Sequence, residues 1–416
     1  MATTLQSPVN SVKTAPGTFS ALRYPNFRLY FGGQLVSTSG TWMQTVAQGW
    51  LVFHLTQSTL WLGLVACFTG LPALFLSPFA GVFVERLPRL RILLITQTAQ
   101  MILAFILSAL TFSQTVQVWH VVVLAFLLGV VNSLDAPTRQ AFVIDMVGRE
   151  DLASGITLNS LMFSLSRVIG PTAAGLALVK FGPGWCFLLN GISFLAVLVS
   201  LLLMKIQQKN KEVATLSPLR QLREGFRFAS RHDTIAPLLL LATITSVFGS
   251  NITTLLPAFA DFVLHSPDAA YAALVTANGI GAVAAAALVS WLGRRIGRGH
   301  IVAIMPIIVS IMVFALALVN VLPLAIVFIT IFGYTLISQF VTMNTLIQTQ
   351  VPNEFRGRVI SLYTLTFFGV APFGALFLGF LGQAIGTPGA MMFAAVVGGG
   401  LSAWVLLRSP ALRALA

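Results

Sequence analysis

Twelve apolar runs follow one another along this chain with short polar turns between them: roughly residues 29–53, 59–84, 92–113, 118–144, 152–178, 184–204, 234–262, 268–293, 300–320, 323–349, 357–381 and 387–407. A helix needs about 20 mostly apolar residues to cross a bilayer, and every run meets that length. Composition removes the soluble alternative. Of the 416 residues, 57% are apolar and only 8% charged, whereas soluble domains carry about 25% charged residues. The expected fold is therefore all-α and integral to the membrane, with twelve transmembrane helices.

The net charge of +13 raises the question of a nucleic-acid partner. Counting along alternate connections, 22 of the 24 Lys and Arg fall on the side that holds the N-terminus. Lys180 falls opposite, and Arg167 lies inside a span. Basic residues collect in cytoplasmic loops. The bias predicts an even number of spans with both termini in the cytoplasm, and it accounts for the charge with no nucleic acid. Cys67 and Cys186 lie in apolar runs and have neither metal nor disulfide spacing. Residues 1–28 read as a polar cytoplasmic tail that ends in a short interfacial segment and has no signal-peptide core.

The longest internal loop, 205–233, divides the chain into six spans and six. This predicts an N-terminal bundle over 29–204, a cytoplasmic linker, a C-terminal bundle over 234–407 and a cytoplasmic tail over 408–416. Within the linker, Leu219, Leu222, Phe226 and Phe228 alternate with Arg220, Arg223 and Arg227, the pattern of a short amphipathic helix on the inner leaflet. The halves also resemble each other at an offset of 204 residues. Val147/Val351, Glu150/Glu354, Ile156/Ile360, Leu158/Leu362, Gly170/Gly374 and Gly175/Gly379 coincide. Two parallel, pseudo-symmetric six-helix repeats follow.

Four stretches carry polar chemistry. In "GVFVERLPRLR", Gly81, Glu85, Arg86, Arg89 and Arg91 fill a very short loop. They are either basic decoration or a cytoplasmic latch, in which Gly81 admits a neighbouring helix and Glu85 pairs with an arginine or a helix N-terminus. In "SRVIGPTAAG", Gly170 and Gly175 permit tight helix packing and Pro171 can bend the fifth span. Arg167 costs roughly 2.5–3.5 kcal/mol at such a depth and should face a cavity or a partner. In "NSLDAPTRQAF", Asp135 and Arg139 stand at i and i+4 on one face of the fourth span, beside Pro137. They are either an intrahelical salt bridge near the interface or a coupling pair in which Asp135 takes up and releases a proton. The first span carries Gln34, Ser37, Thr38, Thr41, Gln44, Thr45 and Gln48 along one helical face, which lines either a wet cavity or a neighbouring helix. Ser250 in the seventh span, with Asn159, Phe163, Tyr363 and Phe367, are further cavity candidates, although aromatics at such spacing also pack.

Other chemistry leaves no mark. No G-x-x-x-x-G-K-[ST] loop is present, so no ATP motor is expected within the chain. His54, His120, His232, His265 and His300 lack metal-like spacing, and no cofactor is expected. The carboxylate cluster that a lipid-modifying enzyme would need is missing.

With these residues placed, the chain resembles the major facilitator superfamily over nearly its whole length. The strings "LRYPNFRLYFGGQLVSTSGTWMQTVAQGWLVFHLT", "GLPALFLSPFAGVFVERLPRLR" and "NSLDAPTRQAFVIDMVGREDLASGITLNSLMFSLSRVIGP" look like the branch of enterobactin exporters and macrolide-efflux proteins. The second half matches more loosely. The resemblance implies alternating access by rocking bundles and export driven by a proton gradient. It maps the superfamily's loop motif onto Gly81, Glu85, Arg86, Arg89 and Arg91, with Glu85 for the usual aspartate and Pro88 for the usual glycine. It maps the antiporter motif onto Gly170, Pro171 and Gly175, and the basic motif of the fourth span onto Arg139. The membrane acid that some drug antiporters carry in the first span is missing, which directs attention to Asp135.

The expected function is secondary active transport: a proton-coupled exporter of amphipathic, siderophore- or drug-like small molecules in a bacterial inner membrane, working as a monomer. The expected partners are that substrate, protons and the lipid bilayer. An uncoupled facilitator or importer is the alternative, and a lipid-modifying membrane enzyme stands further off.

Overall fold

The computed structural model describes residues 19–206 and 218–413; the side chains of 77–86, 218–222, 353, 368 and 413 lie outside the described residues. Among the described residues all regular structure is helical. The first six long helices are Pro25–Thr56, Thr59–Arg86, Arg89–Phe112, Val118–Val147, Leu152–Phe181 and Pro183–Leu203. After the linker come Ile235–Phe262, Pro267–Ile296, Arg298–Leu318, Leu322–Gln350, Glu354–Ile385 and Thr387–Arg408. We refer to these as the first to twelfth spans.

Eleven of them are both long and apolar enough to cross a bilayer, and the first span is the exception. It has ample length at 32 residues, but its glutamines, serines and threonines lower its hydropathy. It remains a bundle member, packed on the fifth and sixth spans. It begins at Pro25, whose ring presets a helical φ and whose missing N–H costs nothing at a helix start. Large apolar side chains cover the outer surface. Ile95, Leu202 and Leu407 are 69%, 69% and 72% exposed, a surface suited to acyl chains and not to water.

The internal repeat is present in the backbone. Gly182, between the fifth and sixth spans, has φ 83°, and Gly386, between the eleventh and twelfth, has φ 79°. The two are 204 residues apart, the offset of the sequence repeat, and both hold a conformation that glycine alone enters freely. The matched glycines within the spans do matching work. A Cβ on Gly170 would stand 2.5 Å from Ser39 O of the first span, and one on Gly374 would stand 2.8 Å from Val247 Cα of the seventh. Gly175 presses the eighth span at Ala272, while Gly379 presses the second at Thr59 and Gly63. Each half thus folds its fifth member onto its first and offers the same element to the other half.

The halves meet along two seams, the second span on the eleventh and the fifth on the eighth. Their side-chain links lie in the part of the helices remote from the termini. Trp50 Nε1 donates to Asp268 Oδ1 at 2.6 Å, Ser58 Oγ to Gln383 Oε1 at 2.8 Å, and Thr59 Oγ1 to Gly379 O at 2.8 Å. Phe53 and Phe262 meet edge to face at 5.2 Å. Towards the basic end, polar side chains on the inner parts of the spans stay open. Thr157 and Ser160 on the fifth span, Gln348 and Thr349 on the tenth, and Ser361 and Thr364 on the eleventh are all exposed. Exposed hydroxyls and amides at that depth point to a cleft between the halves and not to lipid. In the linker, the helix Pro218–Ala229 lies against the start of the eleventh span, where Arg358 pairs with Glu224 at 2.9 Å and Phe228 stacks on Phe355 at 4.6 Å.

Candidate functional site

The third and fourth spans enclose a polar cluster that the sequence shows only in part. Asp135 is 1% exposed, and its Oδ2 lies 2.7 Å from Arg139 Nε, one turn along the same helix. The fourth span runs unbroken through Pro137, so the pair keeps its i, i+4 spacing. Oδ1 accepts hydrogen bonds from Thr96 Oγ1 at 2.7 Å and Gln97 Nε2 at 2.8 Å, both from the third span. The contact between Arg139 and Oδ2 is close but is not directed along the N–H. Gln97 Oε1, Gln100 Nε2 and the Tyr30 hydroxyl are buried nearby and find no hydrogen-bond partner among the described residues. Unpaired buried polar atoms are rare in folded proteins and cost about 1–3 kcal/mol each. The cluster is therefore expensive packing. Thr96, Gln97 and Gln100 are three of the four polar residues of "ITQTAQ" within an apolar span.

At the basic end, one nitrogen of Arg89 joins the third span to the fourth. Its Nη1 donates to Ala141 O at 2.7 Å and to both oxygens of Asp145, at 2.9 and 2.8 Å. Arg91 is exposed. The side chains of Gly81, Glu85 and Arg86 lie outside the described residues. A second clasp holds the chain start. Ser20 Oγ and Tyr24 Oη, at 2.9 Å for the tyrosine, both donate to Asp151 at the head of the fifth span, and Ala21 N donates to Ser154 Oγ at 3.0 Å. Those hydrogen bonds hold the Asp151 carboxyl below its ordinary value, and the tyrosine's bond to it raises the Tyr24 phenol. A depressed carboxylate contributes stability above the usual value of about 4 and loses it as pH falls through the lowered one. The clasp is therefore insensitive near neutrality. Asp151→Asn is expected to raise amide exchange over Ser20–Arg23 at pH 7, and the wild type to do so only in acid. Equal exchange in the two proteins at pH 7 would remove the clasp.

The polar stripe of the first span divides. Gln34, Thr38 and Gln44 are buried; Gln34 Nε2 donates to Thr38 Oγ1 at 3.2 Å, and Asn190 Nδ2 donates to Gln44 Oε1 at 2.6 Å. The first bond stays within the first span, and the second joins it to the sixth. Thr41 and Gln48 are half-buried and Thr45 is exposed. Asn159 and Ser250 are half-buried, and Phe163 is exposed, edge-on to Trp42 at 6.0 Å. Tyr363 is buried among Phe340 and Phe367 and donates to Phe340 O at 3.1 Å, so its surroundings are those of packing. Pro171 is buried within a continuous fifth helix. Arg167 lies over the Trp42 ring at 5.0 Å and has no carboxylate within salt-bridge distance among the described residues.

The chain's relatives are transporters. A family model described as transmembrane secretion effector matches residues 16–413. The staphyloferrin A transporter of Staphylococcus aureus is 26% identical over 368 residues, covering 86% of this chain and 90% of that protein. The enterobactin exporter EntS of Shigella boydii is 27% identical over 374 residues, covering 88% and 87%. Among solved structures, a POT family transporter in complex with 5-aminolevulinic acid superposes with a TM-score of 0.78 at 12% identity, covering 96% and 98%. The nucleoside transporter NupG gives 0.72 at 15% identity, covering 93% and 99%. With the helical architecture above, these similarities place the chain in the transmembrane secretion effector family of major facilitator transporters, as a multi-pass membrane protein.

Proposed function

We propose that the chain is a proton-coupled exporter of amphipathic small molecules that works as a monomer by alternating access in a bacterial inner membrane, with its basic face and both termini on the cytoplasmic side. The names of the relatives favour a siderophore-like cargo. The observation that carries the reading is the buried Asp135, held by Arg139 on one side and by Thr96 and Gln97 on the other. A charge at that depth is costly, and its retention marks a functional site. A proton on Asp135 cancels the charge that holds Arg139, and its loss restores the attraction, so the fourth span has two internal arrangements. With the remote ends of the halves joined through Trp50–Asp268 and Ser58–Gln383, cargo would enter from the basic face. The glycine seams would then act as the rocking surfaces.

Inverted vesicles test this. Acidifying the lumen is expected to drive cargo inwards, and Asp135→Asn to abolish accumulation down to the level of vesicles without the protein. Accumulation that survives a collapsed pH gradient would identify an uncoupled facilitator. Unchanged proton-driven transport in Asp135→Asn would move the proton site elsewhere. The cargo for the assay comes from comparing metabolites released by cells with and without the gene.

A further inference from the structure

We infer that Arg167, backed by the ring of Trp42, is the anion-recognising point of the substrate path, so that the cargo carries a planar oxyanion such as a carboxylate. The inference rests on the transport reading above and names the substrate class for it. Arg167 is the sixteenth of the thirty residues of the fifth span, close to mid-membrane. A guanidinium there costs roughly 2.5–3.5 kcal/mol. Arg139 answers that cost with Asp135. Arg167 has no carboxylate within salt-bridge distance among the described residues, and its guanidinium lies over the Trp42 ring at 5.0 Å. A cation–π contact returns about 0.5–2 kcal/mol, which does not cover the cost. Its nitrogens are not among the sealed, unpaired polar atoms of the interior, so they border open space.

The surroundings define that space. Thr157, Ser160 and Ser164 precede Arg167 at helical spacing, the first two exposed, and together they form a polar track leading up from the basic end. Just past Arg167 the fifth span is pressed by both halves. Gly170 meets the first span, Thr172 Oγ1 lies 3.5 Å from Thr276 Oγ1, and Gly175 meets Ala272. The eighth span already touches at Arg167 itself, where a Cβ on Gly279 would stand 2.5 Å from Arg167 O. Arg167 therefore stands at the upper end of that polar track, where the fifth span passes between the first and the eighth. Trp42 and Phe163, edge to face at 6.0 Å, wall the same point. An arginine laid on an aromatic face keeps its N–H edge free, and that fork matches a carboxylate bidentately. Cationic cargo is disfavoured by the same charge.

The test is equilibrium binding to the full-length protein in lipid nanodiscs, with 2-naphthoate, 2-naphthamide and 2-naphthylmethylammonium as matched probes. The wild type is expected to bind the carboxylate at least about tenfold more tightly than the amide, the scale of one charged hydrogen bond, and to bind the ammonium least. Arg167→Gln is expected to erase the preference and Arg167→Lys to keep part of it. Trp42→Leu should weaken carboxylate binding, with Trp42→Phe in between. Gly32→Ala should keep the full preference, since its added carbon meets nothing within 4 Å. Equal affinity of wild type for acid and amide, binding of neither, or a preference that survives Arg167→Gln overturns the inference. Proton-driven export of a neutral cargo would do so while leaving the transport reading intact. A failed vesicle assay beside a retained acid preference would do the reverse.

Discussion

Arg139→Gln alone is expected to destabilise the protein far more than Asp135→Asn, and the double variant to recover most of the difference. The asymmetry follows from burial. Asp135 has a side chain 1% exposed, whereas Arg139 is 22% exposed. Removing the arginine strands a carboxylate with no route to water, and breaking a buried pair in this way costs about 3–5 kcal/mol. That is a large share of the 5–15 kcal/mol that holds a typical domain together. Removing the aspartate's charge is milder. An asparagine carbonyl still accepts from Thr96 and Gln97, and Arg139 can turn its exposed edge to water. Thermal melts of the four proteins in one detergent decide the matter. A double variant no better than Arg139→Gln, or an Asp135→Asn that is the worse of the two, would mean that the pair is not buried as described. The asymmetry also separates folding from coupling. If Asp135→Asn melts near the wild type, its loss of proton-driven transport reads as lost chemistry.

Most of the architecture is written in period and charge, because lipid leaves so few alternatives. Once twelve apolar runs and one long central loop are counted, helices are the only economical answer, and the offset between halves is visible as matched residues. Contacts across the chain are another matter. Asp135 and Arg139 are neighbours on one helix, so their spacing exposes them. Thr96 and Gln97 reach Asp135 from 39 and 38 residues away, and nothing in "ITQTAQ" says which way they point. The same holds for Asp145, which meets Arg89 from 56 residues away. The first-span stripe shows the limit of periodicity. Gln34 and Gln44 share a stripe with Thr45, yet the glutamines are buried between helices and the threonine is open. A polar face tells that a helix avoids lipid. It does not tell whether amide or water takes the bond. Tyr363 follows the same rule, since an aromatic hydroxyl buried beside Phe340 needs only one carbonyl to be content.

Gly170→Ala and Gly374→Ala are expected to fail together, and by similar amounts. At Gly170 the added carbon meets Ser39 O at 2.5 Å and Met43 N at 3.0 Å; at Gly374 it meets Val247 Cα at 2.8 Å and Val247 O at 2.9 Å. Asn251 Nδ2, 2.6 Å from the carbon at Gly374, can turn aside, but the backbone atoms at both sites cannot, so the helices must part. Overpacking of this kind costs about 1–3 kcal/mol, and each case separates the fifth helix of a half from its first. Gly32→Ala is the control, because nothing lies within 4 Å of its new carbon, and a helix interior gains slightly from the exchange. If the two sites are related by the internal repeat, their losses in melting temperature should agree within experimental scatter and add in the double variant, since they load different halves. If the halves rock along the Gly175 and Gly379 seams as proposed, transport should fall in both even where the protein stays folded, because each half must then hold its own shape. A large loss at Gly170 with none at Gly374 would leave the sequence repeat intact as ancestry but remove it as a mechanical principle of this molecule.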